Sequence, residues 1–118
     1  MGKKDLYQRI FDIVKQIPEG KVTTYGHIAR AIGLGMSARM VGWALNSLAF
    51  KNTNIPAHRV VNRMGLLTGK KYFPTPEYMK ERLVSEGVTF VGEAVDLSKH
   101  LWVPHISIEE NKFSFIKK

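Results

Sequence analysis

The stretch at residues 23–50, TTYGHIARAIGLGMSARMVGWALNSLAF, decides the fold. Its apolar residues recur at helical spacing twice. Ile28, Ala29 and Ile32 give an inward face to a short helix over residues 25–32, with Thr23 or Thr24 placed to cap it. Gly33-Leu34-Gly35 ends that helix. Ser37 caps a longer helix over residues 38–50, whose inward face is Val41, Ala44, Leu45 and Leu48. A short helix, a glycine turn and a longer helix form a helix-turn-helix pattern. Taken alone the pattern is weak, because many helical domains contain two helices and a glycine turn.

The charge around this stretch strengthens it. Between Gly20 and Pro76 stand Lys21, Arg30, Arg39, Lys51, Arg59, Arg63, Lys70 and Lys71, and no Asp or Glu. The whole net charge of +8 therefore falls in that segment, and the ten acids elsewhere are matched by the remaining Lys and Arg. Such a block points to a polyanion, with nucleic acid first. Arg39 sits in the first turn of the second helix of the pair, where a recognition helix meets DNA.

The remainder reads as one domain of 118 residues, mainly α with a small β component. Leu6, Ile10, Ile13, Val14 and Ile17 mark an amphipathic helix over residues 5–17, stopped by Pro18-Glu19-Gly20. Val60-Val61 and Leu66-Leu67 flank Asn62-Arg63-Met64-Gly65 and suggest a hairpin like the wing of a winged helix. A fourth helix is expected over residues 76–85, a short strand at Val88, Phe90 and Val91, and one or two helical turns over residues 96–102. The domain is expected to span residues 1–103, with 104–118 a C-terminal extension carrying a short hairpin at Ile106, Ile108, Phe113 and Phe115.

With zero cysteines there is no disulfide, no thiol nucleophile and no thiolate metal site. His100 and His105 are a lone pair and imply no zinc. No run is long and apolar enough for a membrane, and Met1-Gly2-Lys3-Lys4 opens no signal peptide, so a cytoplasmic monomer without cofactor is expected.

Four stretches in order resemble one family: IPEGKVTTYGHIA (residues 17–29), SARMVGWAL (37–45), IPAHRVVNRMGLLTG (55–69) and KERLVSEG (80–87). They look like the C-terminal DNA-binding and active-site domain of the O6-alkylguanine-DNA alkyltransferases. In those enzymes the third stretch carries Pro-Cys-His-Arg-Val, and its cysteine takes the alkyl group from the damaged base. Here that position is Ala57, whose methyl group has no lone pair to attack with. The resemblance thus points to alkyltransferase-like proteins. It implies a winged-helix-like domain that binds O6-alkylguanine in duplex DNA, flips the nucleotide and flags it for nucleotide-excision repair proteins, without catalysis.

The resemblance also implies roles. Arg39 would be the finger that enters from the minor groove and fills the gap left by the flipped nucleotide. Tyr25 would meet the phosphate of that nucleotide and wall the pocket. Ser37, Ala38, Met40, Gly42 and Asn46 would approach DNA, while Ala57 and Val60 would line the pocket floor. His58 and Glu86 would be a buried pair that shapes the loop, and Arg59 would brace the fold or meet an acid as readily as read a base. Where the family has a tyrosine after the hairpin glycine, and then a glycine pair, this chain has Gly69-Lys70-Lys71-Tyr72-Phe73-Pro74, so Tyr72 or Phe73 would supply the stacking wall. Two other readings stand beside this one. A winged-helix regulator without a lesion pocket would bind undamaged duplex by sequence. A hydrolase using Glu86 and His58 to activate water would release an alcohol or an abasic site.

Overall fold

The computed structural model describes residues 3–33, 35–49 and 54–105. The expected C-terminal hairpin lies outside these, as do Leu34 and Phe50. Five α-helices are seen among the described residues: α1 (Lys3–Val14), α2 (Tyr25–Ile32), α3 (Ala38–Ala49), α4 (Tyr78–Ser85) and α5 (Leu97–His100). Four short strands accompany them: β1 (Thr23–Thr24), β2 (Val60–Val61), β3 (Phe90–Val91) and β4 (Ala94–Val95). Single 3₁₀ turns stand at Ala57–Arg59 and Lys70–Tyr72. Among the described residues no helix is long and apolar enough to cross a membrane.

The helix pair forms as its capping residues dictate. The Thr24 hydroxyl accepts the His27 N–H at 3.1 Å and starts α2. Gly33, with φ +85°, ends it and donates its own N–H to Ala29. The Ser37 hydroxyl accepts the Met40 N–H at 3.2 Å and starts α3. The first helix stops at Val14 rather than Ile17, and Ile17 reaches the core through a turn bond to the Val14 carbonyl at 3.1 Å. Likewise α4 begins at Tyr78, two residues later than the Pro76 start that the sequence suggests.

Two apolar clusters make the core. One joins Ile10, Val14, Ile17, Ile28, Ala29, Ile32, Val41, Ala44, Leu45 and Val60, with Trp102 packed against it. The other joins Val22, Val61, Met79, Leu83, Val88 and Val95. Adjacent strand residues face opposite ways, so β2 sends Val60 to the first cluster and Val61 to the second.

The expected hairpin of Val60-Val61 with Leu66-Leu67 is not formed. β2 pairs with β1 in parallel, Thr23 opposite Val60 and Thr24 opposite Val61. The Asn62 side chain explains the difference. Its Oδ1 accepts the N–H groups of both Met64 and Leu66 at 2.9 Å, closing residues 62–66 into a side-chain-bonded loop. Gly65 then gives its carbonyl to the Val95 N–H at 2.9 Å. The antiparallel hairpin lies later, with Phe90 opposite Val95 and Val91 opposite Ala94.

The segment after α5 returns to the first strand. Val22 donates to the His100 carbonyl at 2.9 Å and accepts from Trp102 at 2.7 Å. The His100 ring adds a second tie: Nε2 accepts the Thr89 N–H at 3.0 Å, which leaves Nδ1 to donate to the Gly20 carbonyl at 3.0 Å.

Candidate nucleic-acid interface and base pocket

Ala57 opens the 3₁₀ turn that leads into β2, and its N–H is held by the Ile55 carbonyl at 2.8 Å. Directly behind it the next two side chains turn inward onto Glu86, the C-cap of α4. His58 Nε2 lies 2.8 Å from Glu86 Oε2. The Arg59 guanidinium grips the same carboxylate with two bonds, Nε to Oε1 at 2.9 Å and Nη2 to Oε2 at 2.8 Å. Its remaining nitrogen donates to the Ile17 carbonyl at 2.8 Å. Arg82 stands further off, 3.8 Å from Oε2.

The pair of side chains is nearly sealed, with His58 4% and Glu86 7% exposed. Burial alone would push the Glu86 carboxyl up. The hydrogen bonds from Arg59 and His58 outweigh it and hold Glu86 below the usual carboxylate range. Burial lowers the His58 pKa in spite of Glu86, so the ring stays neutral near neutrality and donates from Nε2. This cluster binds the end of α4 to the turn after α1 through Arg59. His58 and Arg59 of the turn that begins at Ala57 are both tied to Glu86, and Arg59 meets that acid rather than solvent.

In front of Ala57 lies a small cavity of about 10 Å³ bounded by Tyr25, Asn46, Gly69, Phe73 and Met79. It lies behind a wider concave mouth of about 360 Å³, which Tyr25, Asn46 and Gly69 also line. Arg39, Ala38, Gly42 and Trp43 of α3 form one side of that mouth, and Thr68, Lys71 and Tyr72 the other. Arg39 is exposed, with its guanidinium carbon 6.0 Å from the centre of the Trp43 ring. Burial raises the Tyr25 pKa against a hydrogen bond with Thr68, so its hydroxyl stays protonated. Phe73 stacks on Tyr78, ring centres 5.3 Å apart and planes at 17°.

Most of the expected site residues are brought together. Tyr25, Ala38, Arg39, Gly42, Asn46 and Tyr72 line the mouth, while Ala57 and Phe73 line the inner cavity. Three do not join them. Ser37 spends its hydroxyl on the α3 cap. Met40 lines neither space, and the Val60 side chain is 1% exposed and belongs to the core. Sequence reasoning assigns no role to Trp43, Thr68, Gly69 or Lys71, yet all four line the mouth. For Trp43 the signal is present, since it stands one helical turn after Arg39 and shares its face.

Residues 5–88 match the family described as 6-O-methylguanine DNA methyltransferase, DNA binding domain. Alkyltransferase-like protein 1 of Schizosaccharomyces pombe is 38% identical, over 88% of this chain and all of that protein. The DNA base-flipping protein of Escherichia coli is 42% identical, over 86% of this chain and 78% of that one. In three dimensions the chain resembles the crystal structure of S. pombe Atl1 in complex with damaged DNA containing O6-carboxymethylguanine, with TM-score 0.74 and 36% identity over 88% of this chain and all of that one. It also resembles the O6-methylguanine methyltransferase of Mycobacterium tuberculosis, with TM-score 0.57 and 35% identity over 73% of this chain and 50% of that one. The frame of a reactive cysteine is present around an alanine, in a chain with no cysteine anywhere. This chain belongs to the 6-O-methylguanine DNA methyltransferase family, among its alkyltransferase-like members.

Proposed function

We propose that this chain recognises O6-alkylguanine in duplex DNA by flipping the nucleotide toward Ala57, and that it transfers no alkyl group. One observation carries the reading: the cluster of His58, Arg59 and Glu86 holds the Ala57 loop behind a mouth lined by Tyr25 and Arg39. Arg39, a planar cation at the start of α3, would occupy the vacated place in the stack. Tyr25 would wall the flipped base and meet its phosphate. The likeness to S. pombe Atl1, held in its crystal structure on DNA containing O6-carboxymethylguanine, supports the class of lesion.

A cavity of about 10 Å³ cannot hold a purine, so Tyr72 and Phe73 must give way as the base enters. Because nothing is removed from the base, the lesion persists in the complex. That product suits a flag for nucleotide-excision repair proteins in the cytoplasm. One copy supplies both mouth and pocket, so a monomer suffices.

The test is a titration with duplexes carrying either guanine or O6-methylguanine at one position, with the DNA recovered and analysed afterwards. Tighter binding of the modified duplex, with the base unchanged, is expected. Equal affinity for both would return the chain to the class of winged-helix regulators, and released methanol or an abasic site would make it a hydrolase. Arg39→Ala should remove most of the preference for the modified duplex.

A further inference from the structure

A second pocket of about 490 Å³ adjoins the mouth and shares Tyr25 and Ala38 with it. His27 and Arg30 of α2 line it, as do Asn62 and Arg63 from the loop after β2. Arg30 folds back along its own helix. Its Nη1 lies 3.4 Å from where a Cβ on Gly26 would stand, so the glycine leaves room for a guanidinium at the first turn of α2. Arg63 approaches from a different part of the chain.

Both arginines are exposed, and among the described residues neither has an ion-pair partner. No acid occurs between Gly20 and Pro76 either, so neither arginine has an acidic neighbour in its own segment. Two uncompensated guanidinium groups in one concavity concentrate a positive field there. The guanidinium fork also matches the oxygens of a phosphate.

His27 adds a neutral donor. Its Nδ1 lies 2.6 Å from the Thr24 hydroxyl, which already accepts the His27 backbone N–H. Burial first, and Arg30 second, lower the pKa of the ring. With the hydroxyl proton directed to Nδ1, the ring proton resides on Nε2.

We infer that Arg30, Arg63 and the His27 Nε2–H clamp one backbone phosphate of the DNA strand that carries the flipped nucleotide. This rests on the proposed recognition of the lesion, because the pocket shares Tyr25, the residue assigned to the phosphate of the flipped nucleotide, with the mouth. A phosphate fixed there anchors that strand beside the mouth. Such a contact holds any duplex and carries no information about the lesion itself.

The test uses duplexes with O6-methylguanine and a single neutral methylphosphonate, moved one phosphate at a time along the damaged strand. One or two adjacent positions should weaken binding of the unaltered protein roughly tenfold. In Arg30→Gln and in Arg63→Gln, binding should already be weaker, the same methylphosphonates should cost little more, and the slope of log affinity against log salt should fall by about one. The preference for O6-methylguanine over guanine should be kept in both variants. Full additivity of variant and methylphosphonate, or an unchanged salt slope, would overturn the clamp. So would perturbation of the arginine Nε–H signals by inorganic phosphate but not by the duplex, which would assign the pocket to a free anion. If the unaltered protein shows no preference for the lesion while the methylphosphonate pattern stands, the lesion reading fails and the clamp survives.

Discussion

The hydroxyl of Tyr25 lies 3.1 Å from the point where a Cβ on Gly69 would stand. Gly42 packs on the other side, its absent Cβ 3.9 Å from the edge of the Tyr25 ring. Two glycines therefore fix the wall between mouth and inner cavity. Gly69 has φ −86°, so its backbone accepts alanine and the cost of Gly69→Ala falls on Tyr25. The variant should keep its fold and lose affinity for O6-methylguanine duplex roughly tenfold. A duplex titration beside a thermal melt separates the two effects.

Gly65 makes the opposite case, in which the fold suffers and the site does not. Its φ is +85°, and a Cβ there would stand 2.7 Å from the Val95 carbonyl oxygen. Both the backbone conformation and the collision oppose a side chain. Gly65→Ala should lose about 2–4 kcal/mol of stability in urea unfolding. Where the protein remains folded, its preference for the lesion should be retained.

Glu86 neutralises a largely buried guanidinium and accepts a hydrogen bond from a buried neutral imidazole at once. Glu86→Gln leaves Arg59 charged, largely buried and without its counter-ion. The expected loss is about 3–5 kcal/mol, measured by urea unfolding. Covalent chemistry is not at stake, so the loss of lesion binding should track the loss of folded protein.

Acid should act on the same cluster in two steps. The His58 pKa lies below its usual 6.5 and the Glu86 pKa below its usual 4.5. In both, the native state disfavours the protonated form relative to the unfolded chain, so stability is present above those values and is lost as pH falls. The thermal midpoint should be flat just above pH 6.5, decline below it, and decline again below 4.5. His58→Asn should remove most of the first step. His27 has a lowered pKa as well but is less buried, and His27→Gln should leave most of that step in place.

Trp43 should report binding directly. Its side chain is 57% exposed in the mouth beside Arg39, whereas Trp102 packs against the core. Duplex DNA seated in the mouth should shield Trp43 and release Arg39 from its ring. Tryptophan emission in the Trp102→Phe protein should then shift to the blue or be quenched on titration. Trp43→Ala in that background should abolish the signal.

Much of the fold is legible in the sequence because it rests on local rules. The caps at Thr24 and Ser37 and the glycine at 33 state where α2 begins and ends and where α3 begins. Strand pairing is less legible. Val60-Val61 is an apolar pair that fits a hairpin or a parallel partner equally well, and the choice falls to the Asn62 side chain and to Thr23-Thr24, some forty residues away in sequence. The site is legible where the resemblance supplies a position, as for Tyr25, Arg39 and Ala57. It is not where a residue matters through packing. Gly69 shows its role only once the Tyr25 hydroxyl stands opposite it, and Arg30 only once it folds back over Gly26.

The joint at Glu86 has a consequence for how such sequences drift. His58 and Arg59 secure the end of α4 and the turn after α1 whether or not a nucleophile precedes them. Selection for a folded chain alone would retain them after the reaction had been abandoned. A motif built on Pro56, His58, Arg59 and Glu86 therefore counts descent and architecture, and a census of repair activity drawn from it would include chains that cannot react. In this chain the nucleophile's position is Ala57, whose methyl group cannot attack.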